Sequence, residues 1–428
     1  MSTASEPGGS DEPTRAVIVD DSRFMRTLIR SLLEEGGIEV VGEAEDGSKA
    51  LGAVTEHDPD VVTMDIEMPS MNGLEAVDAI MADHPTPVLM LSAHAEEDAD
   101  VTFEALDRGA VDFVTKPGGE VTSSMPRVKR ELVEKVESAA RVDLSANARL
   151  SSEDRGSSTG TSRSSSRTAG STASTDTSAA DGAAASGTAT GADASRQQRT
   201  ARTGSAAGQT DATDTGSSTA STAGSSPAAA PATTYPETGT LVVGASTGGP
   251  NVVERVLGAL PREANLRVLV VQHMPEGFTS RFATRLDGRS GYDVTEAESG
   301  ERIQAGEARV APGGHHLLVT SDRNGRLKLE LTETEPIHGV RPAIDITMAS
   351  AVESVEGPLC ATLLTGMGRD GVDGMQRIHQ SGGHTIAQDE ETSAIFGMPR
   401  RAIETGSVDV VAPAEQIAEN VLQYFAEE

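Results

Sequence analysis

The hydrophobic pattern changes its character twice along the chain. Over residues 14–146, and again from residue 236 to the end, short apolar runs alternate with segments whose apolar residues recur every three or four positions. The apolar runs predict buried strands, and the three-to-four spacing predicts amphipathic helices. Residues 151–240 between these regions contain no Leu, Ile, Val, Phe or Met. Such a segment cannot bury enough apolar surface to offset its conformational entropy, so it predicts a disordered linker.

In the first region, five apolar runs alternate with five helical patterns. Strands are predicted at residues 16–20, 39–44, 60–65, 87–92 and 110–115, and helices at 22–35, 47–56, 73–83, 97–108 and 125–141. Regular alternation of this kind predicts a parallel sheet that is covered on both faces by helices.

The last region also alternates. Strands are predicted at residues 240–246, 267–274, 358–366, 383–388 and 407–413, shorter strands within 301–320 and 326–332, and helices at 250–260, 343–354, about 372–380 and from 414 onward. The chain is therefore predicted to hold two doubly wound α/β domains with mainly parallel sheets. The predicted divisions are a disordered tail at 1–13, a domain at 14–146, a disordered linker at 147–235 and a domain at 236–428.

Composition narrows the classes of function. The formal net charge is −31, and five lysines stand among the 35 basic residues. This acidic surplus suggests a cytoplasm of very high salt, and without a basic patch it argues against nucleic acid as a partner. No apolar run reaches the length of a membrane span, the N-terminus lacks a signal-peptide pattern, and the single cysteine, Cys360, excludes an internal disulfide. We therefore expect a cytoplasmic protein without membrane insertion.

Polar residues recur at the carboxyl ends of the first domain's predicted strands. They are Asp20 and Asp21, Asp65, Ser92 and Lys116. In an open parallel sheet these ends line one crevice, and three carboxylates there suit Mg²⁺. A carboxylate can also accept a phosphoryl group, whose charge Mg²⁺ and a lysine would neutralise. Each residue alone could instead be an ordinary solvated side chain at a strand end.

The second domain begins with a glycine-rich turn, LVVGASTGGP, at residues 241–250. A phosphate-binding P-loop would continue with Lys and Ser or Thr, but Pro250 and Asn251 follow here. The segment does fit GxSxG, a strand-to-helix turn that presents Ser246 as a nucleophile.

A nucleophilic serine needs a base and an acid that orients it. His273 follows a long apolar strand, as Ser246 does, although a histidine there can also be a hydrogen-bonded edge residue. Asp370 follows a buried strand and precedes a helix, where it could also be a helix N-cap, and Asp345 is the alternative acid.

The first domain resembles the receiver domain of two-component response regulators. Four segments carry the resemblance: Asp20-Asp21, MDIEMPSMNG around Asp65, Ser92-Ala93 and Lys116-Pro117. The resemblance implies phosphorylation of Asp65 by a histidine kinase and Mg²⁺ bound by Asp20, Asp21 and Asp65. It also implies that Ser92 and Lys116 sense the phosphate.

The second domain resembles the catalytic domain of CheB-type chemotaxis methylesterases. The segments that carry this resemblance are VVGASTGGP, VQHMP, APGGHH, RPAID, LLTGMGRDG and FGMP. It implies an enzyme, a carboxylic ester hydrolase that needs no cofactor for its reaction, in which Ser246 is the nucleophile, His273 the base and Asp370 its partner. Met367 would donate its backbone N–H to the oxyanion, and Thr247 is a further candidate for the site.

The same resemblance implies the substrates and a mode of control. The substrates would be glutamate γ-methyl esters, and also glutamines, on chemoreceptors, and the unphosphorylated receiver would cover the esterase site. The linker is far longer than is usual in the family, which predicts a looser cover because effective concentration falls with linker length. The alternatives are a response regulator with a non-catalytic, receptor-binding output domain or, less in keeping with the acidic charge, a DNA-binding one.

Overall fold

A computed structural model describes residues 12–93, 99–117, 125–142, 144, 235 and 238–426. Residues 1–11 of the predicted tail, nearly all of the predicted linker at 147–235 and the predicted start of the fourth helix at residue 97 lie outside these residues. Among the described residues, no helix is both long enough and apolar enough to cross a bilayer.

The N-terminal domain consists of five strands and five helices in the described part of the chain. The strands are β1 (Arg15–Val19), β2 (Glu39–Ala44), β3 (Val61–Asp65), β4 (Val88–Ser92) and β5 (Asp112–Thr115). The helices are α1 (Arg23–Glu35), α2 (Gly47–His57), α3 (Gly73–Asp83), α4 (Ala99–Asp107) and α5 (Met125–Ala139). The sheet has the order β2-β1-β3-β4-β5, and every pairing in it is parallel.

The central strands of this sheet are buried along their whole length, as helices on both faces require. Local signals in the sequence fix the helix starts. Ser22 caps α1 by accepting a hydrogen bond from Met25 N, and Asn72 and Glu75 form a reciprocal capping box at α3. The predicted α/β architecture with a parallel sheet is confirmed for this domain.

The C-terminal domain contains two sheets within the described residues. Its strands are β6 (Gly239–Ala245), β7 (Leu266–Gln272), β8 (Asp293–Glu296), β9 (Arg302–Ile303), β10 (Glu307–Val310), β11 (His316–Arg323), β12 (Arg326–Thr332), β13 (Leu359–Leu363), β14 (His384–Gln388) and β15 (Val410–Ala412). Seven of them form a parallel sheet in the order β15-β14-β13-β6-β7-β10-β8. The other three form a small antiparallel sheet in the order β11-β12-β9.

Six helices accompany these sheets in the described residues. They are α6 (Gly249–Ala259), α7 (Phe278–Arg289), α8 (Ile344–Ser354), α9 (Val372–Gln380), α10 (Met398–Glu404) and α11 (Ile417–Phe425). Helices α7 and α10 and strand β8 were not predicted from the sequence, and the antiparallel hairpin β11–β12 was not distinguished from the main sheet. The C-terminal helix α11 begins three residues after its predicted start at residue 414, because Ala414–Gln416 form a 3₁₀ turn.

The strand order determines where the chemistry lies. Strand β6 runs between β13 and β7, and all three are parallel. Their carboxyl ends therefore meet at one edge, where the connections to helices leave a crevice. Ser246 follows β6, His273 follows β7, and Asp370 lies beyond the end of β13.

Candidate active site

Ser246 occupies a tight turn between β6 and α6. Gly248 has φ +74°, which favours glycine, and a Cβ there would lie 2.5 Å from the Ala394 side chain. Ser246 N donates to Thr365 O at 3.0 Å, so the turn is tied to the chain that follows β13. The serine is 7% exposed and stands just before the N-terminus of an 11-residue helix, where developing negative charge is stabilised.

His273 and Asp370 form a hydrogen-bonded pair. His273 Nε2 lies 2.8 Å from Asp370 Oδ2, and the Asp370 side chain is nearly inaccessible to solvent. Asp370 also accepts hydrogen bonds from Ile344 N at 2.6 Å and Asp345 N at 3.1 Å. Burial acts to raise the pKa of the Asp370 carboxyl, but the hydrogen bonds from His273 and from these backbone groups outweigh it and hold that pKa below its usual range.

The alternative acid, Asp345, forms no hydrogen bond or ion pair with His273 in the part of the chain that the structure describes. Its Oδ2 lies 3.1 Å from His338 Nε2, and its Oδ1 accepts from Gly374 N at 2.7 Å. Burial and the neighbouring Asp370 charge raise the pKa of Asp345 to about 6. Asp345 is therefore a second, less readily ionised carboxyl beside the His273–Asp370 pair.

Ser246, Thr247, His273, Met367 and Asp370 line one cavity of about 560 Å³. In the described residues, no hydrogen bond joins Ser246 Oγ to His273, and such bonds often tighten only once substrate is bound. The backbone N–H groups of Thr247 and Met367 have no acceptor among the described residues. The arrangement can supply a nucleophile, a base with its orienting acid, and backbone donors for an oxyanion.

The Met367 segment passes very close to Ser246. A Cβ at Gly366 would lie 2.6 Å from Ser246 Cβ, so glycine is required there by space. Thr365 Oγ1 donates to Thr247 O at 2.9 Å and accepts from Ile395 N at 2.9 Å, which ties three loops together. Sequence reasoning missed Thr365, although a buried hydroxyl at the end of an apolar strand is a signal that could have identified it.

The polar strand-end residues of the N-terminal domain also come together. Lys116 Nζ lies 2.7 Å from Asp65 Oδ1 and 2.9 Å from Asp20 Oδ2, and Lys116 N donates to Ser92 O at 2.7 Å. Carboxylate oxygens of Asp20, Asp21 and Asp65 lie within 4.8 Å of one another. Burial raises the pKa of Asp65 to about 6, while the ion pair with Lys116 acts in the opposite direction.

This donor set fits Mg²⁺. Its three ligands are hard oxygen atoms, and Asp21 is exposed, which leaves room for the water molecules that Mg²⁺ usually retains. The buried Asp20 Oδ2 lies 2.9 Å from Lys116 Nζ but accepts no well-directed hydrogen bond from the described residues, so it keeps lone-pair capacity for a metal cation.

The N-terminal domain contacts the C-terminal domain through α4, β5 and α5. The Phe103 ring stacks on Phe282 with centroids 5.8 Å apart, and the rings of Phe113 and Phe278 are 4.4 Å apart. Arg285 extends over the Phe103 ring at 5.5 Å.

Charged groups surround this aromatic cluster. Arg285 Nη2 lies 2.5 Å from Asp107 Oδ1, and Arg289 Nη2 lies 3.3 Å from Asp107 Oδ2. Arg285 also pairs with Glu254 of its own domain at 2.5 Å.

Helix α5 reaches the cavity that holds Ser246. Arg130, Glu131, Glu134, Lys135 and Ser138 of α5 line it. Ala394 and Ile395 belong to the same buried apolar cluster as the inner face of α5, and Met367 packs against that cluster. The N-terminal domain therefore forms part of the cavity wall.

Together, these features define a two-domain response regulator whose second domain has an α/β fold with a serine–histidine–aspartate cluster. Residues 16–122 match the response regulator receiver domain family, and residues 241–421 match the CheB methylesterase family. The protein-glutamate methylesterase/protein-glutamine glutaminase of Haloarcula marismortui is 51% identical over 97% of this chain and 98% of its own length. The protein of the same description from Natronomonas pharaonis is 48% identical, covering 98% of this chain and 100% of its own.

Solved structures include the CheB methylesterase catalytic domain of Thermotoga maritima. It is 41% identical, covers 43% of this chain and 97% of its own, and has a TM-score of 0.42. The chain belongs to the CheB family of chemotaxis methylesterases with an N-terminal receiver, and it is accordingly a hydrolase. The family predicted from the sequence is thereby confirmed, and the haloarchaeal relatives agree with the predicted halophilic character.

Proposed function

We propose that this protein hydrolyses glutamate γ-methyl esters on chemoreceptors, and deamidates receptor glutamines, by a Ser246–His273–Asp370 mechanism that its receiver controls. The observation that carries the proposal is the 2.8 Å pair between His273 and Asp370 in the same cavity as Ser246. The names of the relatives supply the substrate class.

His273 has one ring nitrogen left for the serine. Since Nε2 is engaged by Asp370, Nδ1 is the atom that takes the proton from Ser246 Oγ. Oγ then attacks the ester carbonyl carbon, and the resulting oxyanion accepts hydrogen bonds from backbone donors including Met367 N–H. Methanol leaves with the proton from His273, and ammonia leaves by the same route when the substrate is glutamine. Water then hydrolyses the acyl-enzyme to release the glutamate carboxylate.

Asp370 assists His273 through its negative charge and through the direction of its hydrogen bond to the ring. A carboxylate of low pKa that accepts Nε2–H stabilises the imidazolium formed during attack and fixes the ring orientation. The esterase steps use groups of the protein and water alone.

In the receiver, a histidine kinase transfers a phosphoryl group to Asp65. Asp20, Asp21 and Asp65 would hold the Mg²⁺ that neutralises phosphoryl charge, while Lys116 and Ser92 detect the modification. The unmodified receiver narrows access to Ser246 by placing α5 in the cavity wall, and the modification loosens that contact. In this proposal the domains span 14–146 and 236–428, residues 1–13 and 147–235 are the tail and linker, and the protein acts in the cytoplasm.

The test is methanol release from methylated receptor membranes at high salt, with and without a small-molecule phosphodonor and Mg²⁺. Release is expected to require Ser246, to survive Ser381→Ala as a serine control remote from the cavity, and to rise with the donor. Asp65→Asn is expected to keep basal release and lose the rise. Release that is independent of Ser246 would refute the mechanism. A wild type that binds receptor membranes without releasing methanol would instead support the non-catalytic output domain.

A further inference from the structure

The side chain of Gln272 connects the backbones of the proposed nucleophile and base. Gln272 is the last residue of β7 and is 1% exposed. Its Nε2 donates to Ser246 O at 2.8 Å and to His273 O at 3.2 Å. One buried amide group therefore fixes the backbone carbonyl groups of both Ser246 and His273.

The bond to Ser246 O also determines where the next N–H points. Ser246 O accepts a second hydrogen bond from Gly249 N at 2.8 Å, so the orientation of this carbonyl is set by two donors. In a planar trans peptide the C=O and the N–H point in opposite directions. Holding Ser246 O therefore directs Thr247 N–H away from Gln272. This N–H has no acceptor among the described residues, and Thr247 lines the cavity with Met367.

We propose that Gln272 is a positioning residue for the esterase reaction. It holds the Ser246–Thr247 peptide so that Thr247 N–H, together with Met367 N–H, donates to the oxyanion. The inference rests on the proposed function, because it takes Ser246 as the nucleophile. A donor on the residue directly after the nucleophile suits a GxSxG turn, where that N–H is fixed beside the attacking atom.

The absence of a side chain at Gly249 leaves the space that the Gln272 amide occupies. A Cβ on Gly249 would lie 2.3 Å from Gln272 Oε1 and 2.8 Å from Ala245 Cβ, so any side chain would displace the amide. Gln272 Oε1 is buried and has no hydrogen-bond donor among the described residues. An unsatisfied buried acceptor is unfavourable, so fold stability alone is a poor reason for an amide at this position.

The experiment compares Gln272→Met, which retains length but loses the donors, with Gly249→Ala, which keeps the glutamine but displaces it. Methanol release is measured as kcat and KM at saturating phosphodonor. We expect each variant to lose 10- to 100-fold in kcat with KM changed by less than twofold, because the donor acts on the transition state. The double variant is expected to lose no more kcat than the more strongly affected of the two single variants, because both changes break the same contact.

Thr385→Val is the matched control. Thr385 is fully buried and donates to Ser407 O at 2.9 Å, on a strand remote from Ser246. It is expected to lower the thermal midpoint and leave kcat unchanged. A kcat of Gln272→Met equal to wild type, additive losses in the double variant, or losses that follow the thermal midpoint would each overturn the inference. If Ser246→Ala is inactive in the same assay, such a result concerns Gln272 alone. Methanol release by Ser246→Ala would instead refute the proposed function.

Discussion

Replacing Phe103 by alanine should loosen the receiver from the esterase domain. The ring is 3% exposed, stacks on Phe282 at 5.8 Å and lies beneath Arg285 at 5.5 Å. It also contacts Phe113 of its own domain at 6.0 Å, so only part of its burial belongs to the interface. The truncation therefore weakens the closed form through the lost contacts with Phe282 and Arg285, and it also weakens the receiver through the lost contact with Phe113.

The size of the effect follows from three contributions. Aromatic pairing adds about 1 kcal/mol, and a partly exposed cation–π contact about 0.5–1 kcal/mol. Burial of one ring face, about 50 Å² at roughly 25 cal/mol per Å², adds about 1 kcal/mol more. A loss of about 2–3 kcal/mol lowers the ratio of closed to open protein by roughly 30- to 150-fold.

The assay is methanol release without phosphodonor. The unstimulated rate of Phe103→Ala is expected to rise towards the rate of the fully phosphorylated wild type. Phe24→Ala is the matched control, since Phe24 is a receiver phenylalanine that is 74% exposed. An unstimulated rate equal to wild type, in a folded variant with the normal stimulated rate, would refute the aromatic cluster as the basis of closure.

Three further changes test other parts of the structure. Asp370→Asn should lower kcat on the order of 10³- to 10⁴-fold, because the His273 ring loses its anionic partner; a loss below tenfold in methanol release would contradict its role. Asp345→Asn should stabilise the fold more at pH 8 than at pH 4. Because the pKa of Asp345 is raised to about 6, its protonated carboxyl stabilises the native state below about pH 4. This stabilisation, about 3 kcal/mol in unfolding free energy, is lost as the pH rises through 6. A stability difference between variant and wild type that does not depend on pH in urea titrations would contradict this expectation. Asp107→Asn should raise unstimulated methanol release at low KCl and do so less at high KCl, because its contacts to Arg285 are partly exposed; an effect that grows with salt would contradict the ion-pair interpretation.

Much of the site could be predicted because parallel strands share one functional edge. Ser246 and His273 stand directly after apolar strands, so their convergence follows from strand order even before any distance is known. The choice between Asp370 and Asp345 could not be made in this way. Both lie near the same edge, and only the structure shows that Asp370 contacts His273 whereas Asp345 pairs with His338.

Helix α7 shows a different limit. Its apolar residues Phe278, Phe282, Ala283 and Leu286 have helical spacing, so the helix itself was predictable and was missed. Its partner was not predictable, since a hydrophobic face looks the same whether it packs on its own sheet or on another domain. Gln272 is a third case, because a polar residue ending an apolar strand signals a specific bond but not which carbonyl it binds.

The two kinds of contact between the domains respond to salt in opposite ways. At molar ionic strength charges are screened within about 3 Å, so the exposed Asp107 pairs add little affinity, although they still favour one orientation of α4 on α7. Burial of aromatic rings does not depend on charge and is strengthened by salts that are excluded from the protein surface. In a chain of net charge −31, high salt also reduces the repulsion between two acidic domains. It follows that at high salt the phenylalanine cluster supplies most of the affinity between the two domains, and that the ion pairs mainly set their relative orientation.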